Sequence, residues 1–342
     1  MANYAASLKQ KAQLRLNEMM QMPEFRYKSN PALMLALKNS GITLPAYNDY
    51  LNGKSSDQRD VETLMIIRSS EDLGTARAYN HTGSLGDSAA TALTWNTFTR
   101  TFKYTLKQED RNQFNATEIF AKQLYNAFID INNGIGTAAQ AFLSTNKNQV
   151  SVSSPKGATW DATAQAYVID AVDQERYIQK IKSIMRQDYF NGMYDVIADS
   201  LKYQDLEHYA AQGSGNETNY GYQYSGLNIA ESTEMDVPDG YNGGAYIMPV
   251  GTFAALPWIP KKNIEGWGSY NDSIGGYGTV VDPISGLTMA YHQYASGADN
   301  DTSGSETQDV DFQCEVSIDL GFTTAPINVT NKSVINLTVQ GK

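Results

Sequence analysis

The feature that most restricts this chain is an apolar stripe at helical spacing. Phe120, Leu124, Phe128, Ile131, Ile135 and Phe142 recur at intervals of three, four or seven residues between Thr117 and Leu143. Asn115 stands before the stripe as a cap, and Glu118, three residues on, completes a capping-box pattern. At ~1.5 Å per residue such a helix runs for ~40 Å. Gly134 and Gly136 predict a bend or break in its middle. A single stripe on so long a helix needs a broad apolar partner, so the segment reads as a backbone laid across a sheet.

Strand-like sequence precedes it. Residues 61–68 (VETLMIIR) form an apolar run, and Thr94–Leu106 alternates, with Phe98, Phe102, Tyr104 and Leu106 on one side and Thr99, Thr101, Lys103 and Thr105 on the other. The 70–90 loop between them is rich in Gly, Ser, Asn and Asp. Read as one long hairpin, Val61–Leu106 is not self-sufficient in water and must lie on something, and loops of that length usually carry function.

After residue 158 the elements alternate. A helix at 173–187, a strand at Met193–Ala198, a helix at about 203–211, and strands at about 219–232 and 245–255 read as a compact α/β unit. The chain ends in strands at Leu287–Tyr294, Val310–Phe322 and Val334–Val339, the first two joined by the acidic run Gly297–Asp309.

Ahead of all this lies a basic arm. Residues 4–21 predict a helix with Leu8, Ala12, Leu16, Met19 and Met20 on one face and Lys9, Lys11 and Arg15 beside it. A second helix is expected to start at Asn30-Pro31 and stop before Gly41. Residues 1–40 hold six basic side chains (Lys9, Lys11, Arg15, Arg26, Lys28, Lys38) against Glu18 and Glu24. Two short helices bury no core of their own, so the arm is expected against another part of the protein or another subunit.

The charge is uneven along the chain. Of the 342 residues, the first 150 carry 16 basic and 13 acidic side chains, and the remainder carries 10 and 24. Charged residues total 18% against about 25% in ordinary soluble domains. With 22 tyrosines, this is the slant of surfaces buried against partners, or simply of a Tyr-rich protein. One cysteine, Cys314, excludes an internal disulfide framework. No apolar run reaches the ~18 residues of a membrane span, and the first twenty residues lack the apolar core of a secretory signal. The expectation is a soluble protein of the cytoplasm. A sequence opening at Met1 also leads us to expect that no pro-segment is removed.

The order basic arm, long hairpin, long helix, α/β insert and two returning antiparallel strands resembles the major capsid proteins of tailed bacteriophages with the Hong Kong 97-type fold. Val61–Leu106 looks like that family's extended E-loop, Asn115–Leu143 like its spine helix, and 193–256 like the core of its axial domain. The strands at 287–294 and 310–322 look like the return of its peripheral domain. The resemblance covers about 60–325, in element order rather than in any short motif. It implies an α+β fold divided into an arm (1–55), an E-loop hairpin (56–110) and a peripheral domain with spine helix (111–157). An axial domain (158–282) and the return strands with a C-terminal strand (283–342) complete it.

What the resemblance implies for function is a shell subunit, not an enzyme, without cofactor or metal. Copies would assemble into hexamers and pentamers of an icosahedral shell around double-stranded DNA, made in the host cytoplasm and located in the virion. Lys9, Lys11, Arg15, Arg26 and Lys28 are the candidate inner-face, DNA-facing residues. Arg77, His81, Trp95, Arg100 and Lys103 are the candidate inter-subunit hairpin residues. Scaffolding, portal and decoration proteins are the further partners implied, and a membrane is not among them. An encapsulin-like compartment shares the fold. A phage tail or calcium-dependent glycan-binding protein is the alternative from another class, suggested by the Tyr/Asn/Gly-rich 213–280 and the acidic loop.

Chemical motifs are weak throughout. His81, His208 and His292 fall in a loop, a helix and a strand, far apart in sequence. His208 with Asp205 and Glu207 reads as a solvated helix face, and His292 as a packed or interface residue. Asp299-Asn-Asp301-Thr-Ser303-Gly304 has the first half of a calcium loop, but Val310 stands where the bidentate Glu belongs. Gly213-Ser-Gly-Asn lacks nucleophile-elbow spacing. Cys314 shares a strand face with Phe312, Val316 and Ile318, as a small core residue would. No phosphate-loop motif is present.

Overall fold

A computed structural model of the chain describes residues 2–21, 30, 32, 34–35, 62–67, 77, 79, 87–92, 94–105, 115–149, 151, 157–187, 192–205, 226–235, 237–256, 275–283, 285–286, 288–297, 310–322 and 334–340. Its elements run α1 (Ala2–Met20), β1 (Glu62–Ile67), β2 (Asp87–Ala92), β3 (Thr94–Thr105), α2 (Ala116–Asn146), β4 (Thr159–Asp161) and β5 (Ala166–Ile169). A 3-10 turn (Ala171–Arg176) leads into α3 (Tyr177–Gln187), β6 (Tyr194–Asp199), β7 (Leu227–Ser232), β8 (Tyr241–Pro249) and β9 (Phe253–Leu256). β10 (Gly275–Val281), β11 (Thr288–Gly297), β12 (Val310–Phe322) and β13 (Ile335–Gln340) complete the chain, which is α+β.

The long helix forms without the expected break. Asn115 Oδ1 accepts the Glu118 N–H at 2.9 Å, and α2 then continues for 31 residues through both glycines. Gly134 and Gly136 sit where the helix meets other segments and do not interrupt it. A Cβ at 134 would meet the Phe98 ring at 3.5 Å, and one at 136 would meet Glu234 Oε2 at 3.3 Å. A methyl at 134 would make an ordinary contact with β3, and one at 136 would press only on the end of the Glu234 side chain.

The N-terminal half of α2 lies on a five-stranded antiparallel sheet of order β10-β11-β12-β3, with β9 also paired to β12. Phe120 sits at the middle of that contact, with its ring edge-on to Phe102 (5.5 Å), Tyr104 (6.4 Å) and Tyr291 (6.4 Å). Tyr104 in turn stacks on Phe312 at 5.8 Å. The even-numbered residues of β12 from Phe312 to Leu320, Cys314 among them, are buried, as alternation predicts.

The C-terminal half of α2 reaches the second sheet, six strands of order β4-β5-β13-β8-β6-β7. Gln140 Nε2 donates to Ser232 Oγ on β7 (3.1 Å), and the Asn148 N–H to the Val334 carbonyl (2.7 Å). Every residue of β6 is buried. Ile197 joins the core around α2, while Val196 and Ala198 join the core around α3, with Ile181, Ile184 and Met185. This sheet is therefore covered by a helix on each face, which is why its inner strands read as apolar runs.

Four sequence expectations change. The residues 61–68 and 94–106 do not pair with each other: β1 pairs with β2, Glu62 opposite Ala92, while β3 pairs with β12 along its whole length. Alternation in Thr94–Thr105 marked a strand with one buried face, and that face is filled by α2. The expected strand 245–255 is two strands. Pro249 and Gly251 (φ +100) turn the chain, and β9 crosses to the five-stranded sheet. The 173–187 helix opens with the 3-10 turn before α3. The expected 203–211 helix begins at residue 200, and 206–211 lie outside the described residues. The terminal strand, for which the sequence named no partner, is β13 and inserts between β5 and β8.

The early start of the 200–205 helix comes from Asp199. Its carboxylate accepts the N–H groups of Leu201 (3.3 Å), Lys202 (3.2 Å) and, from β8, Gly244 (2.9 Å). Lys202 is wholly buried, its ammonium donating to Asp205 (3.2 Å) and standing 4.5 Å from the centre of the Tyr177 ring. Burial lowers the Lys202 pKa, opposed by Asp205 and Asp199. Asp199→Ala strands two buried donors and one half-buried donor and removes a counter-charge, so the expected loss is about 2–4 kcal/mol. A urea titration reads this as a lower midpoint at unchanged slope.

Candidate assembly surfaces

The basic arm is packed on its own chain. Leu8, Ala12 and Leu16 are buried against α2 and the sheet, as the stripe on α1 predicts. Lys9 Nζ donates to the Thr279 carbonyl (3.2 Å) and Gln13 Nε2 to that of Val281 (3.3 Å), both on β10. Arg15 reaches Glu18 (2.8 Å) and Glu118 (3.4 Å). The hydrogen bond and charge of Glu18 head the causes that raise the Arg15 pKa. Glu118 thus gives its backbone N–H to the cap and its carboxylate to the arm, in place of the reciprocal half of a capping box. Of the candidate DNA-facing residues, Lys11 is exposed, Lys9 and Arg15 are engaged within the subunit, and Arg26 and Lys28 lie outside the described residues. The second arm helix is described only at Ala32, Met34 and Leu35, with the Met34 N–H on the Asn30 carbonyl (3.1 Å). Asn30 Nδ2 holds the Asn132 carbonyl of α2 at 2.6 Å.

The hairpin residues divide. β1 and β2 make a two-stranded sheet that no other described strand joins. Arg77 and Tyr79, between them, are exposed, and His81 lies outside the described residues. Trp95, Arg100 and Lys103 belong to β3 and so to the five-stranded sheet, not to the β1–β2 ribbon. Arg100 Nε donates to Asp130 on α2 (2.7 Å), tying sheet to helix at their margin. Lys103 is exposed on the opposite sheet face, where Thr101, His292, Gln313 and Glu315 line an open trough with it. Asp130, Gln13 and Asp199 escaped the sequence reading. The Asp199-Ser-Leu pattern of a helix cap was the visible signal for the last.

Among the described residues, no group of three or more His, Cys, Asp or Glu is arranged to hold a metal ion. No described helix is long and apolar enough to cross a membrane. His292 sits opposite Glu315 in the β11–β12 register, and burial lowers its pKa against the pull of that carboxylate. The 299–309 loop, His208 and Gly213 lie outside the described residues. Cys314 is buried beside Tyr291, whose hydroxyl donates to Gln293 Oε1 (2.9 Å) and lies 3.2 Å from the sulfur. Burial pushes the thiol from an ordinary 9.0 up to about 11, which suits packing and not attack on a substrate.

No family model and no curated protein sequence matches this chain. Solved structures similar to it include the cyanophage A-1(L) capsid asymmetric unit, at 11% identity and a TM-score of 0.49 over 92% of this chain and 94% of that one. A structure from Mycobacterium phage Che8 is similar at 11% identity and 0.48, over 94% and 95%. The capsid structure of cyanophage P-SCSP1u is similar at 11% identity and 0.44, over 84% and 85%.

The buried thiol sets an alkaline limit on stability. Above pH 9 the unfolded chain releases the Cys314 proton while the folded chain holds it to about 11. The folded state then binds more protons, and stability falls as pH rises through that window. Burial raises the Tyr291 and Tyr177 hydroxyls too, which extends the fall above pH 10. Cys314→Ala is expected to flatten the pH 9–11 part of the curve by about 1–3 kcal/mol and to lessen the tyrosine part without abolishing it, because burial is the main cause at Tyr291 and the Cys314 sulfur a lesser one. Denaturant midpoints measured from pH 7 to 11 check this.

Proposed function

We propose that this chain is the major capsid subunit of a tailed bacteriophage, with the Hong Kong 97-type arrangement, building hexamers and pentamers of an icosahedral shell around packaged double-stranded DNA. The observation that carries the reading is the β1–β2 ribbon. Among the described residues Glu62–Ile67 and Asp87–Ala92 pair only with each other, and their sequences, ETLMII and DSAATA, are rich in apolar residues. An isolated two-stranded ribbon is marginal in water and an open edge invites strand addition, so such an element is stable when another copy covers it.

The body beside it supports the same reading. α2 packs against both sheets, whereas the ribbon shares no strand pairing with either of them among the described residues. The protein acts structurally, in the virion, through copies of itself. In this reading the ribbon lies over an adjacent subunit and the arm faces the interior. Lys11 with Arg26 and Lys28 supplies a modest, sequence-independent attraction to phosphates that weakens as salt rises. Scaffolding, portal and decoration proteins are the remaining partners this role calls for.

Size-exclusion chromatography followed by negative-stain microscopy of the purified protein tests the proposal. Closed shells with six- and five-fold clusters are the expected outcome. A stable monomer or small oligomer that binds glycans with calcium contradicts it.

A further inference from the structure

In an antiparallel pair, residues of one parity point their N–H and C=O groups at the partner strand, and residues of the other parity point theirs away. Among the described residues β10 is the end strand of its sheet and pairs with β11 on one side only. The carbonyls of Thr279 and Val281 share a parity, and both accept hydrogen bonds from α1. The outward-pointing groups of β10 are therefore those of 275, 277, 279 and 281. Their donors on α1, Lys9 and Gln13, are four residues apart. Four residues of helix advance ~6 Å and two residues of strand ~6.8 Å, so the helix runs along the strand edge nearly in step with it.

The fit on the Lys9 side is specific. A Cβ at Gly278 would stand 3.1 Å from Lys9 Nζ, so the glycine makes room for the ammonium, which also lies 5.7 Å from the centre of the Tyr291 ring. Burial lowers the Lys9 pKa. Beside the seam, Leu14 on α1 is 65% exposed and Val281 on β10 is 45% exposed.

We infer that α1 is a guard on the sheet edge: Lys9 and Gln13 occupy the outward carbonyls of β10 and keep that edge closed to strand addition by a second copy of this chain. An edge with its hydrogen-bonding groups free every second residue is self-complementary about a two-fold axis, so the same edge of another copy is the partner it fits. Displacing α1 bares a strand flanked by apolar side chains. The inference does not rest on the shell reading, because the contact it describes forms between two subunits.

The test uses the full chain at concentrations below those of any larger assembly. Sedimentation velocity compares the wild type with Lys9→Ala/Gln13→Ala, which leaves Leu8, Ala12 and Leu16 in place. The double variant is expected to dimerise at concentrations about tenfold lower or more. Adding Thr279→Pro, which deletes an outward N–H and puts a ring on the edge, is expected to restore wild-type behaviour. A double variant as monomeric as the wild type, or dimers indifferent to Thr279→Pro, overturns the inference. If circular dichroism finds the double variant unfolded, hydrogen exchange on the unmodified chain decides. As dimers form, amides 279 and 281 are expected to slow while amides 8–16 speed up, and unchanged rates at both overturn it.

Discussion

The structure depends on one helix reaching two sheets. α2 is 31 residues long, and at ~1.5 Å per residue it extends for ~46 Å, farther than either sheet alone needs. Its first half is fixed by Phe120 among Phe102, Tyr104 and Tyr291. Its last turns are held by Gln140 on Ser232 and by the backbone link from Asn148 to Val334. Because one rigid rod takes part in both contacts, the two sheets share the core around α2, beside the second core around α3. Ile197, Tyr246 and Met248 of the six-stranded sheet belong to the same buried cluster as Phe312 and Val316 of the five-stranded one.

Once that core is closed, the remaining elements are attached to it and not part of its framework. α1 adds one buried stripe and a set of polar links, while the β1–β2 ribbon adds a sheet that pairs with nothing else described. The charge distribution agrees with this division, since the arm is basic while the portion after residue 150 carries 24 acidic side chains against 10 basic ones.

How much of this could be read from sequence depends on where each partner lies. α2 was legible because its stripe and its cap are local, and so was the buried face of β12, where alternation placed Cys314 with Phe312, Val316 and Ile318. Strand pairing was not. β3 alternates as a hairpin arm would, and its true partner, β12, is more than two hundred residues away, with nothing in either strand naming the other. The glycines of α2 looked like weak points because their neighbours, Phe98 and Glu234, come from distant segments. The apolar run of β13 fitted an inner strand without saying of which sheet. On α1, Lys9 read as helix flank and Gln13 carried no signal, because their acceptors are backbone carbonyls that leave no mark in a sequence.

The central claim is that the isolated subunit has a finished core and an unfinished ribbon. Hydrogen exchange on the isolated chain and on its assembled form measures this directly. The account predicts that amides 120–143 of α2 are strongly protected in both. Amides 62–67 and 87–92 should exchange orders of magnitude faster in the isolated chain and become protected on assembly. A ribbon as protected as α2 in the isolated chain, or one that gains no protection in the particle, would contradict it.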